Sequence, residues 1–250
     1  MGLLLDACGD AFEAFVPSPC LACGSGGGPL CARCRAARAE ELVPRPFEAS
    51  ERASALPLGP SGEPWPVWAG GEYTGLRSEL MLAFKGRGVT AVSDVLASHL
   101  GAAVAALDLG ERDVLVRVPP SWRSCLTRGY DPVERLLAGA GGAGERGLVR
   151  RRAAWRPAAR GGQKGLGARQ RGERLARAFR PGPRAGAVLP RCGRVVVVDD
   201  VLTTGATLGA VMKVLLAAGA PAVAGAVALA ARPTGRAGEG TLGEPLGKDG

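Results

Sequence analysis

A chain of 250 residues, 46% of them apolar, can bury one full core and carry a small appendage. No run of about 18 apolar residues occurs, which argues against a membrane-spanning helix. The formal net charge is +9, yet residues 117–184 hold 17 Arg and Lys against four acids (Asp131, Glu134, Glu145 and Glu173). So basic a stretch suits polyanionic partners, either nucleic acid or a metabolite bearing pyrophosphate.

The chain opens on Met1 to Phe15, apolar enough for a secretory leader, but it carries Asp6, Asp10 and Glu13 and lacks a basic start. A cytoplasmic address is the expectation. In a reducing compartment the seven cysteines are read as metal ligands or buried thiols rather than disulfides. Residues 1–40 hold five of them and form the first unit, a small module. Within it Cys20-Leu21-Ala22-Cys23 and Cys31-Ala32-Arg33-Cys34 are two CxxC units. Each sets two thiolates on one turn, and together they complete a tetrahedron. Cys20, Cys23, Cys31 and Cys34 leave no open position, so a structural zinc is favoured over redox-active thiols or an iron centre.

Residues 41–69 include Pro44, Pro46, Pro57, Pro60, Pro64 and Pro66 and read as a Pro-rich linker or an extended crossing. Residues 70–232 form the large domain, and the glycine-rich tail 233–250 reads as disordered. In the large domain, apolar residues at three- and four-residue spacing predict helices over Tyr73–Phe84 and Val92–Leu107. Val114–Val118 is a β-branched run before Pro119 and Pro120 and predicts a strand. Pro132–Ala138 and Ala168–Ala178 predict helices, separated by an arginine-rich loop. Val195–Val198 predicts a buried strand, Thr207–Ala218 a helix closed by Gly219, and Ala222–Ala230 a further strand. Strands alternating with helices imply a parallel α/β sheet.

The strongest constellation runs from Val195 to Thr207. A buried strand delivers Asp199 and Asp200 to its C-terminal end, where open α/β sheets bind ligands. Small residues follow: Thr203, Thr204, Gly205, Ala206 and Thr207. Gly205 admits close backbone approach, and the helix that starts here offers free N–H groups and a positive dipole end to a phosphate. The carboxylates would repel that phosphate, so they make sense facing neutral ribose hydroxyls. A nucleotide P-loop is disfavoured because GxxxxGK[ST] is absent. His99, the one histidine, reads as a structural helix residue.

Four apolar residues, two acids and a Thr/Gly-rich loop resemble the signature of type I phosphoribosyltransferases. The paired cysteine knuckles, Tyr73-Thr74-Gly75 to Lys85-Gly86, Val118-Pro119, Arg128-Gly129-Tyr130, Gln163, Leu166, Arg171 and Ala178-Phe179 extend the likeness. With them the chain resembles the ComF family, linked to competence and DNA uptake. That resemblance implies a type I phosphoribosyltransferase-like parallel sheet flanked by helices, with a small N-terminal zinc-knuckle module. It further implies a site for phosphoribosyl pyrophosphate (PRPP) with Mg²⁺, or for ribose 5-phosphate. The 5-phosphate would lie on residues 203–207, the ribose on Asp199 and Asp200, and the pyrophosphate near Pro119 to Arg123 with help from Lys85 or Arg128. Residues 150–171 would close as a lid, or else form an unstructured insertion. Single-stranded DNA and DNA-uptake proteins are the implied partners, and an active transferase acting on a base or amine is the alternative. Two departures fall beside the diphosphate region: Tyr130-Asp131-Pro132 where the family commonly has Phe-Asn-Gln, and Arg174 where it commonly has Asn.

Overall fold

The computed structural model describes residues 19–152, 175 and 177–232. The expected tail, the lid from residue 153 onward and most of the helix expected over 168–178 lie outside them. So do Met1 to Phe15, with Cys8, and Arg174.

A five-stranded sheet organises the large domain, in the order β1-β2-β7-β6-β3. Its members are β1 (Phe47–Glu48), β2 (Val67–Ala69), β3 (Val114–Arg117), β6 (Val195–Leu202) and β7 (Val223–Ala230). All neighbours run parallel except β1, which pairs antiparallel with β2. A separate antiparallel ribbon joins β4 (Val149–Arg151) to β5 (Phe179–Pro181).

Central strands of a parallel sheet are covered on both faces, which explains the unbroken valines. Val195 and Val197 belong to one apolar cluster, while Val196 and Val198 belong to the other, and all four are fully buried. Each such burial is worth about 1.5 kcal/mol or more. On the first face lie α7 (Ala185–Val188), α8 (Ala206–Ala217) and the β4–β5 ribbon. The second face carries α3 (Gly75–Leu82), α4 (Ser93–Ala105) and α6 (Pro132–Gly139). The cysteine module contributes α1 (Ala32–Ala37) and α2 (Ala39–Leu42) on that second side, and α5 (Trp122–Arg128) follows β3.

Two expectations are corrected. The stretch 41–69 is no linker: β1 and β2 are in the sheet, and Ala49, Ala53 and Leu56 are buried in its first-face core. Its prolines flank short strands at the sheet edge, where a missing N–H costs no ladder bond. The second correction concerns β6, which continues past Val198 to Leu202 because β7 pairs with it as far as Leu202↔Ala230. Asp199 and Asp200 therefore sit inside a paired strand and point to opposite faces. His99 is fully buried on α4, with its Nδ1 2.8 Å from the Val95 carbonyl and the backbone of Gly70 pressed against its own. Burial holds its pKa below the usual histidine range.

Candidate phosphate and sugar site

Where β6 ends, the chain turns through Thr203 and Thr204 into Gly205, which has φ +73° and precedes the first residue of α8. That left-handed conformation favours glycine. The surroundings demand it as well, since a Cβ at Gly205 would lie 2.7 Å from the Ala53 Cβ. The first bond within the helix is Gly209 N–H to the Gly205 carbonyl at 2.7 Å, so the amides before it face outward from the helix end. Ala206 N–H approaches the Thr204 hydroxyl at 3.4 Å, and the Thr204 carbonyl accepts from Ala55 N–H at 3.2 Å. The misread stretch thus buttresses the loop from behind. In front lies a hollow of about 230 Å³ lined by Asp199 and residues 201–208. Helix α8 points its positive end into it, a ready-made anion cradle.

A larger cleft of about 720 Å³ adjoins this hollow, and Asp199, Val201, Thr203 and Thr207 line both. Asp200 projects to the second face, is 7% exposed, and accepts a hydrogen bond from Lys85 Nζ at 2.8 Å. Asp199 accepts from the Asp200 amide at 2.9 Å. Burial, and then the neighbouring charge of Asp200, push the Asp199 carboxyl up to about 8. The raised Asp199 is therefore a group that holds its proton near neutrality.

The opposite wall is assembled from distant segments. Lys85 sits in a π-turn, Ala83–Arg87, that continues α3. Such turns cluster at functional sites. Phe84, fully buried, accepts a hydrogen bond from the Tyr130 hydroxyl at its carbonyl, and the two rings lie 5.3 Å apart. Arg128 lines the same cleft, as do Pro119, Pro120 and Ser121 after β3. Asp131 spends one oxygen on the amides of Val133 and Glu134, capping α6, and the other on Arg117. That charge is paired locally, yet Asp131 still lines the cleft and its charge is among the causes that raise the Asp199 carboxyl. Arg151 was not singled out as a cleft residue from sequence, yet it lines the cleft. Its Nε donates to the Pro119 carbonyl at 3.3 Å, and its guanidinium lies 4.8 Å from the Phe179 ring centre. Burial pulls its pKa below the usual guanidinium range, opposed by the charge of Asp199.

The four knuckle cysteines also converge. Their sulfurs all lie within 4.8 Å of one another, and Cys23 Sγ is 3.9 Å from Cys31 Sγ. Zinc–sulfur bonds of about 2.3 Å in a tetrahedron give sulfur–sulfur edges of roughly 3.8 Å, so the cluster has the dimensions to hold a metal such as zinc. Cys31 N–H points to Cys20 Sγ and Cys34 N–H to Cys31 Sγ, both at 3.5 Å. Hydrogen bonding from Ser25 draws exposed Cys23 down to about 5, whereas bonds to Cys23 and Cys31 push Cys34 up to about 12. Cys20, Cys31 and Cys34 are buried. Cys125 and Cys192 stand apart, and burial raises both their pKa values.

Among known protein families, the phosphoribosyl transferase domain matches residues 181–239, a span that takes in β6, the loop, α8 and β7. No curated protein matches the chain. No helix among the described residues is long and apolar enough to cross a membrane.

Proposed function

A phosphoribosyl transferase domain is present in this chain, and from that premise we propose that the cleft binds PRPP together with Mg²⁺, or ribose 5-phosphate. In this reading the 5-phosphate lies on residues 203–207, held by outward-facing amides and the threonine hydroxyls. The ribose hydroxyls donate to Asp199 and Asp200. The 1-diphosphate extends toward Pro119–Ser121, within reach of Lys85, Arg128 and Arg151. The observation that carries the proposal is the direct passage of a buried strand bearing two acids into a glycine turn at a helix N-terminus. Phosphate favours that end for the dipole and the unpaired donors together.

Mg²⁺, when bound, neutralises the diphosphate and eases its departure. If an acceptor is used, the C1–oxygen bond to pyrophosphate breaks with its electron pair leaving on pyrophosphate, the lone pair of the acceptor nitrogen forms the new bond to C1, and the acceptor's proton passes to solvent. The cationic wall stabilises the charge that develops. Titration calorimetry with Mg²⁺ and PRPP tests the binding: saturable heat in the native protein, with affinity weakened in Asp200→Asn, supports it, and absence of heat contradicts it. Pyrophosphate release with a panel of bases and amines separates a transferase from a binding module.

A ComF-like role in DNA uptake, with zinc as the structural ion of the knuckles, is the wider reading. It rests on the sequence resemblance and on one surface feature. In the β4–β5 ribbon, Arg150 and Arg180 are exposed and directly opposite each other. Like charges at that spacing repel, and a polyanion such as single-stranded DNA relieves the repulsion. Salt-sensitive retention of oligonucleotides, weakened in Arg150→Ala/Arg180→Ala, supports this role. Retention unaltered by those changes counts against it.

A further inference from the structure

The cysteine module packs beside the segment that carries Lys85. Leu30, Cys20, Cys31, Cys34 and Leu42 belong to the same apolar cluster as Leu76, Leu80 and Phe84. Leu76, Leu80 and Phe84 recur every four residues and define the inner face of α3 and its π-turn, and all three are fully buried. Polar ties fix the docking. Arg77 donates to the Glu41 carbonyl at 3.1 Å, linking α3 to α2, and Arg35 pairs with Asp94 on α4 at 3.0 Å. At the far end of this face Phe84 is followed by Lys85, whose ammonium meets Asp200.

Among the described residues of the module, 19–42, the buried apolar side chains are Cys20, Leu30, Cys31, Cys34 and Leu42, and three of these five are cysteines of the cluster that could hold a metal. A described segment with so few buried aliphatic side chains gains much of its rigidity from a bound metal. We infer that the metal-loaded module is a positioning element of the ligand cleft: it clamps the inner face of α3, and through Phe84 it fixes Lys85 opposite Asp200. Lys85 is otherwise on weak footing. It sits in a π-turn followed by Gly86 and by Gly88 at φ +70°, a stretch with little intrinsic helical preference. Tyr130, bonded to the Phe84 carbonyl, braces the same turn from the α5–α6 side.

The test uses the full chain, metal-loaded and then stripped by a chelator that is removed before measurement, with amide hydrogen exchange as the first readout. Stripping is expected to raise exchange over residues 76–88 at least tenfold and to leave residues 205–217 unchanged. A rise shared equally by 205–217, or none at 76–88, overturns the inference. Tyr130→Phe keeps every cysteine and removes one brace, and it is expected to raise exchange at 83–88 with the metal still bound. Unchanged exchange there overturns the inference as well. The ligand arm rests on the PRPP reading and uses Mg²⁺ and PRPP. Metal loss should weaken binding in the native protein by the same factor as Lys85→Ala, and should have no further effect in Lys85→Ala. Equal losses in both backgrounds contradict the coupling. A native protein that binds no PRPP sinks the ligand assignment, and the exchange arm then decides the inference by itself.

Discussion

The two walls of the cleft are built on opposite plans. One is contiguous: β6, the turn and α8 place Asp199, Asp200 and the glycine turn at the helix start within nine residues of chain, backed by the Ala53–Leu56 segment. The other collects Lys85 from a π-turn, Arg128 from α5, Arg151 from the ribbon and Pro119–Ser121 from the turn after β3. A contiguous wall owes its geometry to local backbone conformation and fails when one residue is wrong. A gathered wall owes its geometry to packing, and its losses are graded.

The largest effect is therefore expected from Gly205→Ala. A side chain at φ +73°, 2.7 Å from Ala53, forces the turn to move, and PRPP affinity should fall by roughly a hundredfold or more, with stability lower by about 2 kcal/mol. Calorimetry and urea unfolding measure both, and native-like affinity in this variant breaks the contrast. Asp200→Asn comes next: it removes a charged hydrogen-bond acceptor and leaves Lys85 unpaired, for an expected loss of about thirtyfold. Arg151→Ala should cost PRPP about fivefold to tenfold by removing one charge-assisted contact while sparing ribose 5-phosphate, because the proposed contact is to the diphosphate. Equal losses for the two ligands would place Arg151 at the phosphate cradle instead.

A fourth prediction concerns pH. An acid whose folded pKa is raised takes up a proton on folding, so its contribution to stability is fully present below the unfolded value, about 4, and is lost as pH rises. For Asp199 the loss extends to about 8. The urea midpoint of the native protein should fall between pH 5 and 8, and Asp199→Asn should flatten that slope; identical slopes contradict the assignment. The smallest effect is expected outside the cleft. Arg150→Ala/Arg180→Ala should reduce the salt dependence of single-stranded DNA retention by about 1.4 in log–log slope.

The same contrast explains what could be read from the sequence. The β6–loop–α8 wall was legible because a fully buried strand, a glycine at positive φ and a helix start each leave a local signature. The cysteine cluster was legible from its two CxxC turns. The Lys85–Asp200 contact spans 115 residues of chain and has no local trace; only the family resemblance pointed to Lys85. Arg151 was hidden among its neighbours Arg150 and Arg152, because nothing in the sequence says which of the three turns inward. Strands β1 and β2 were missed because two- and three-residue strands beside Pro46, Pro64 and Pro66 look like linker. In the sequence Asp131 shows only as a charge change beside the expected diphosphate region. Its cap on α6 and its pair with Arg117 become visible only once β3 and α6 are side by side.

The most direct test of the two-walled cleft is a crystal structure with Mg²⁺ and PRPP. The 5-phosphate is expected within hydrogen-bond distance of the amides between Gly205 and Thr207, with the ribose hydroxyls on Asp199 and Asp200 and the diphosphate beside Arg151. A sugar phosphate bound elsewhere, or its phosphate turned away from the start of α8, contradicts the account.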